Sequence, residues 1–81
     1  MSRPMEQTQA LAANIRAELA RQRISGRELA RLLDEQPSWV HRRLSAAQEI
    51  TVDDLYRIAS VLNVPAQTLL GSAAPTDRAS A

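Results

Sequence analysis

The chain has 81 residues, no cysteine and a net charge of +1, from ten basic and nine acidic residues. This length allows one domain near the lower size limit for independent folding, and the lack of cysteine excludes disulfide bonds and thiolate metal sites. Because no apolar run approaches the roughly 20 residues of a membrane span and the first ten residues are too polar for a secretory signal, we expect a cytoplasmic protein that does not enter a membrane.

The first predicted element is a helix that follows a short arm. Leu11, Ile15 and Leu19 repeat every four residues, which gives the helix one buried stripe. The helix can begin anywhere between Pro4 and Thr8 and is expected to end near residue 23. We therefore assign residues 1–7 to a flexible N-terminal arm.

The second predicted helix, over residues 25–34, begins and ends at polar residues. Ser25 and Glu28 match the S-x-x-E capping box, in which each side chain bonds the free backbone amide of the other residue. Asp34 stands where the chain has to turn in a left-handed conformation, which a glycine adopts more easily. Three leucines are predicted to face the core: Leu29, Leu32 and Leu33.

The third predicted helix starts at Pro37, a residue favoured at the first helical position, where its missing amide costs no hydrogen bond. At 100° per residue, Val40 and Leu44 point to the core. The other side chains point outward or lie at the flanks: Ser38, Trp39, His41, Arg42, Arg43 and Ser45. Two short helices joined by a tight turn indicate a helix-turn-helix, whose second helix fits the major groove of DNA.

A loop over residues 45–50 precedes the fourth predicted helix, which begins at Thr51. Thr51 and Asp54 form a second capping-box pattern, and Asn63 is a candidate left-handed cap after the helix. A short fifth helix is predicted over residues 66–70. Residues 72–81 offer nothing to bury and are predicted to be a disordered tail. The folded domain is therefore expected to span residues 8–71.

Positive charge is concentrated on the predicted helix-turn-helix. Residues 21–45 contain six arginines and three acidic residues, whereas residues 46–81 contain two arginines and four acidic residues. A DNA-binding helix-turn-helix requires positive charge in this first segment, where it would attract the phosphates of DNA. Biased codon usage and ordinary solvated faces would give the same distribution, so both interpretations stay open.

The order and spacing of these motifs resemble the lambda-repressor-like (XRE/Cro) helix-turn-helix family over residues 11–71. The matching segments are ELA at 28–30, VHRRLS at 40–45 and ITVDDLYRIASVLNVPAQTLLG at 50–71. The resemblance implies an all-α, compact five-helix domain with its helix-turn-helix at helices 2 and 3 and its third helix in the major groove. It also implies transcriptional control, often by a dimer on a palindromic operator.

The chain departs from this family at three positions. Gly26 stands where the family often has a glutamine that contacts a phosphate, and Asp34 and Ala46 stand where glycines are common. The phosphate contact at Gly26 would have to be missing or be made by the backbone amide. Ala46 would keep the backbone after helix 3 further from DNA.

The outward face and the resemblance together give nine candidate DNA-binding residues: Arg27, Gln36, Pro37, Ser38, Trp39, His41, Arg42, Arg43 and Ser45. Arg42 is expected to contact guanine, because arginine binds guanine O6 and N7 with two hydrogen bonds. Arg43 is expected either to contact a phosphate or to pair with an acidic neighbour. Trp39 is expected either to pack between helices 2 and 3 or to lie against the sugar-phosphate backbone.

The remaining candidates have equally simple alternatives. Gln36 and Ser38 would read a base edge or only cap the helix, and His41 would contact DNA or only be exposed. Arg27 would lie near a phosphate together with the positive end of helix 2.

Sequence-specific binding of double-stranded DNA by a small transcriptional regulator, a phage-type repressor or Cro-like protein, is the leading hypothesis, with a homodimer possible. The alternative is a protein-interaction module of the same fold, such as an antitoxin or anti-repressor partner, which the modest net charge and the missing glutamine favour. With one histidine and no cysteine or lysine, the chain is not expected to be an enzyme or to bind a metal, a cofactor or a small-molecule substrate.

Overall fold

Five α-helices make up the computed structural model, which describes residues 4–70. They are α1 Pro4–Gln22, α2 Gly26–Leu33, α3 Pro37–Leu44, α4 Val52–Leu62 and α5 Ala66–Leu70. No strand occurs in this part of the chain. The prediction of a compact all-α fold with five helices is therefore confirmed. The tail predicted over residues 72–81 lies outside the described residues.

The first helix begins at the earliest position of its predicted range. α1 begins at Pro4, so residues 4–7 belong to the helix and not to the arm predicted over residues 1–7, of which residues 1–3 lie outside the described part. Thr8, in the second turn of the helix, is buried at 1% exposure and its hydroxyl accepts a hydrogen bond from the Ile50 amide at 3.0 Å. This bond fixes the N-terminal part of α1 to the loop before α4, which gives these turns a tertiary anchor.

The core draws apolar residues from every helix and from the loop before α4. Its buried members are Ala12, Ile15, Leu19, Leu29, Ala30, Leu33, Val40, Ile50, Leu55, Ile58, Ala59, Leu62 and Leu69. Leu32, predicted to face inward, is instead 39% exposed. The buried arc of α2 runs from Leu29 through Leu33 to Ala30, so Leu32 lies beyond Leu29 on the solvent side.

The capping pattern before α4 is confirmed. The Thr51 hydroxyl accepts from the Asp54 amide at 3.1 Å, and the Asp54 carboxylate accepts from the Thr51 amide at 3.1 Å. Before α2 only half of the predicted box forms. The Ser25 hydroxyl accepts from the Glu28 amide at 3.0 Å, but the Glu28 carboxylate accepts from the Arg31 guanidinium.

Four helices end in a left-handed residue that is not glycine. The φ angles are 60° at Arg23, 59° at Asp34, 62° at Ala46 and 59° at Asn63. The left-handed turns predicted at Asp34 and Asn63 are therefore present, and the amides of both residues bond back to the last turn of their helices. Asp and Asn tolerate this conformation best among non-glycine residues, whereas alanine adopts it at a cost of about 1 kcal/mol.

Candidate nucleic-acid interface

The exposed side of α3 is formed by residues that the core does not need. α3 packs against α1 and α2 and buries Val40, while Leu44 packs partly buried against the core. Seven of the nine candidate residues are exposed: Arg27, Gln36, Pro37, Ser38, His41, Arg42 and Ser45. The face predicted from the 100° helical step is therefore open to solvent.

Charge on this face is not neutralised by carboxylates of the described residues. Within residues 4–70, neither Arg27 nor Arg42 has a carboxylate within ion-pair distance. Ser38 and Arg42 are one helical turn apart and share a side of α3. An arginine without an internal partner keeps its full charge and its five N–H donors for an external one.

Beside this face lies an open cleft of about 570 Å³ between α1, the start of α2 and α3. Val40 and Leu44 form part of its apolar floor, and its basic side chains are Arg16, Arg27 and His41. No acidic residue of the described chain lines it. The cleft is therefore a basic depression that joins the outward face of α3 to α1.

Arg16 was not among the residues predicted from the sequence. Its guanidinium donates a hydrogen bond to the carbonyl oxygen of Leu44, at the end of α3. The two residues are 28 positions apart, so no local pattern or helical period could have paired them. The concentration of arginines in residues 21–45 also favoured helices 2 and 3 over α1 as the source of DNA contacts.

Arg43 and Trp39 lie at the inner edge of α3, against α4. Arg43 Nε donates to Asp54 Oδ2 at 3.1 Å, with only 14% and 10% of the two side chains exposed. The Arg43 guanidinium carbon is 3.9 Å from the centroid of the Trp39 ring, and that of Arg57 is 5.3 Å from it, both within cation–π range.

These contacts bear on the alternatives stated for two of the nine candidates. Arg43 pairs with an acidic neighbour, the second of its two predicted alternatives, and its charge is already used inside the molecule. Trp39 is partly buried and packs against the core, but its ring lies against the arginines of α3 and α4. Arg43 and Trp39 therefore both contribute to the packing of α3 against its neighbours.

The turn that leads into α3 is held from α4. One nitrogen of the Arg57 guanidinium donates to the carbonyl oxygen of Leu33 and to the Glu35 carboxylate, both at 3.0 Å. Because Leu33 ends α2 and Glu35 lies in the three-residue connection to α3, these bonds fix where α3 begins. α4 thus positions the exposed helix from both its start and its inner edge.

No cluster of three or more metal-ligating side chains occurs within residues 4–70. None of the described helices has the length and apolar character needed to cross a membrane.

Comparison with curated proteins and with solved structures gave no significant match. A model of the BetR domain family matches residues 6–79, a range that includes the described part of the chain except its first two residues. Because this match covers most of the sequence, the protein belongs to the BetR domain family.

Proposed function

We propose that this domain binds double-stranded DNA sequence-specifically as part of a small transcriptional regulator, with α3 in the major groove. The observation that carries the proposal is the exposed, unneutralised basic face formed by α3 and the start of α2. Two short helices joined by three residues, within an order of five helices, also favour a lambda-repressor-like helix-turn-helix. A cytoplasmic location belongs to this proposal, because the DNA would be there.

Each exposed side chain has a distinct expected role. Arg42, in the last turn of α3, would bind a guanine edge, and Ser38 and Gln36 at the helix start would contact a base or the backbone. Arg27 would bind a phosphate beside the positive end of α2. Each good base contact would contribute about 1–3 kcal/mol of discrimination, while the phosphate contacts would make the affinity fall steeply with salt.

A single α3 reads few base pairs, so we propose binding as a homodimer to a palindromic operator with half-sites about 34 Å apart. At the C-terminal end of the described chain, Leu69 is fully buried and closes the core of its own chain. Leu70 is 46% exposed and remains available for contact with a second copy.

Selection of bound sites from a random DNA pool tests the proposal directly. An enriched consensus would support sequence-specific binding, and a palindromic consensus would support a dimer. Arg42→Ala should then bind with weaker preference among bases at one position of each half-site. Arg31→Ala is the matched control, because Arg31 has the same charge but is paired with Glu28 on α2. No enrichment, with no affinity for any duplex at low salt, would refute the proposal.

A protein-interaction module, such as an antitoxin or anti-repressor partner, is the second candidate. Leu32 and Tyr56, 39% and 61% exposed, line the same shallow depression between α2 and α4, an apolar surface that DNA binding does not use. Co-purification of a protein partner that Leu32→Ser and Tyr56→Ser release, with no DNA affinity at low salt, would favour this candidate.

A further inference from the structure

We infer that α1 adds a third helix to the proposed interface, with Arg16 as a contact to a phosphate of the DNA backbone. The inference rests on the proposed function and extends it, because Arg16 lies outside the helix-turn-helix. Two observations carry it: the place of the side chain in the basic cleft and the way in which α3 holds it.

Arg16 is exposed and lines the cleft together with Arg27 and His41. Within residues 4–70 no carboxylate lies within ion-pair distance of it. Its hydrogen bond to the Leu44 carbonyl restricts the guanidinium to the α3 side of the cleft. Less conformational entropy is then lost when an external anion binds, since part of the side chain is already ordered.

The carbonyl bond leaves most of the guanidinium free. Arginine has five N–H donors, and the bond to the Leu44 oxygen uses the Nη1 nitrogen. The last carbonyls of a helix carry a partial negative charge, which would repel a phosphate approaching the end of α3. Arg16 offsets that charge where it arises and presents its remaining donors to the cleft.

The shape and lining of the cleft suit a nucleic-acid strand better than a small free anion. The cleft is open, and its floor includes the apolar side chains of Val40 and Leu44 with basic groups around them. A sugar-phosphate backbone presents apolar sugar atoms next to charged phosphates, so it would match both parts of this lining. The cleft also adjoins His41 of α3, so a strand lying in it would pass beside the bases that α3 reads.

Arg16→Gln removes the charge of this residue and, because the glutamine side chain is two bonds shorter than that of arginine, it also loses the bond that Nη1 makes to the Leu44 carbonyl. The slope of affinity against salt reports the charge separately from that bond. We expect its helical circular dichroism to match that of the wild type. Its affinity should fall severalfold on the selected duplex and equally on an unrelated duplex. If Arg16 neutralises one phosphate, the slope of log affinity against log salt should be smaller in magnitude by about 0.9 in the variant. Arg31→Gln, the matched control, should leave the slope unchanged.

An Arg16→Gln slope equal to that of the wild type would overturn the inference, while a loss of base preference in Arg42→Ala would leave the proposed function intact. A wild type that binds no duplex would defeat the proposed function itself. If Arg16→Gln does not fold, the wild type supplies the test by NMR. The Arg16 Nε–Hε resonance should shift when the selected duplex is added, and an unchanged resonance in saturated complex would overturn the inference.

Discussion

Arg42 and Arg43 are neighbours in the sequence and have the same side chain, yet α3 places them in opposite environments. Arg42 is exposed and has no carboxylate partner within residues 4–70, whereas Arg43 is mostly buried between Trp39 and Asp54. One helical step of 100° separates the two. A run of basic residues on a helix is therefore not a uniform charged surface, because one member of the pair supports the fold and the other is free to bind.

The inner edge of α3 also explains how the outer face is held in place. Asp54 Oδ2 accepts hydrogen bonds from both Arg43 and the Thr51 amide. The same carboxylate oxygen therefore caps the start of α4 and binds Arg43 of α3. The start of α4 thus fixes the inner side of α3. The outer face depends on this contact although none of its own side chains takes part.

The largest expected effect comes from removing that shared carboxylate. Asp54→Ala leaves the half-buried Arg43 charge without a carboxylate partner and breaks the capping box, so we expect it to lower the free energy of unfolding by about 3 kcal/mol. Chemical denaturation followed by the fluorescence of Trp39, the only tryptophan, measures this loss.

Asp53→Ala is the matched control, since Asp53 is the adjacent residue in the same first turn of α4 but is exposed. It should cost no more than about 0.5 kcal/mol. Equal losses for the two variants would show that Asp54 acts only through the charge at the start of the helix.

The second prediction compares the two arginines themselves. Arg43→Ala should lower the free energy of unfolding by about 2 kcal/mol, because it leaves the buried Asp54 carboxylate with only its backbone partner. Arg42→Ala should change stability by less than about 0.5 kcal/mol.

DNA binding should rank the same two variants in the opposite way. At a temperature where both are folded, Arg42→Ala should lose base preference on the selected duplex and Arg43→Ala should keep it. Similar unfolding midpoints for Arg42→Ala and Arg43→Ala would contradict the division between the two faces of α3.

The helices could be predicted from the sequence because their signals are local. The Thr51–Asp54 box, the proline at the start of α3 and the left-handed residues at Asp34 and Asn63 each act within one or two turns, so a short window of sequence contains all the partners. Leu32 was assigned wrongly because a short helix carries too few residues to fix the centre of its buried arc.

The contacts of the candidate site were harder to predict, because they join residues that are distant in the sequence. Arg43 meets Asp54 across 11 positions and Arg16 meets Leu44 across 28. The helical step placed Arg42 outward and Arg43 near the boundary, but only the packing of α4 decides that a boundary arginine turns inward. Trp39 follows the same rule, since its arginine neighbours come from two different helices.

The third prediction concerns Ala46, the left-handed residue that follows the C-cap of α3. Ala46 adopts φ 62°, where alanine is strained and glycine is not. Ala46→Gly should raise the free energy of unfolding by up to about 0.5 kcal/mol, because the relief of about 1 kcal/mol of strain is partly offset by the extra freedom of glycine in the unfolded chain. Thermal unfolding measures the change. Ala47→Gly, at the next position and without positive φ, should not stabilise, and a stabilisation shared by both variants would rule out strain at Ala46 as the cause.

The smallest expected effect comes from the ion pair between Glu18 and Arg21, whose arginine is more exposed than that of the Arg43–Asp54 pair. Hydrogen bonds from Arg21, and then from Gln22, hold the pKa of Glu18 below the ordinary glutamate value. The folded state therefore favours the charged carboxylate, and this stabilisation is present above the ordinary glutamate pKa and is lost as pH falls through the lowered one. Because 68% of the Arg21 side chain is exposed, solvent screens the pair and keeps the effect small.

The difference in unfolding temperature between the wild type and Glu18→Gln should shrink as pH falls from neutral to below about 4. A difference that is the same at both pH values would mean that the charge of Glu18 contributes nothing to stability.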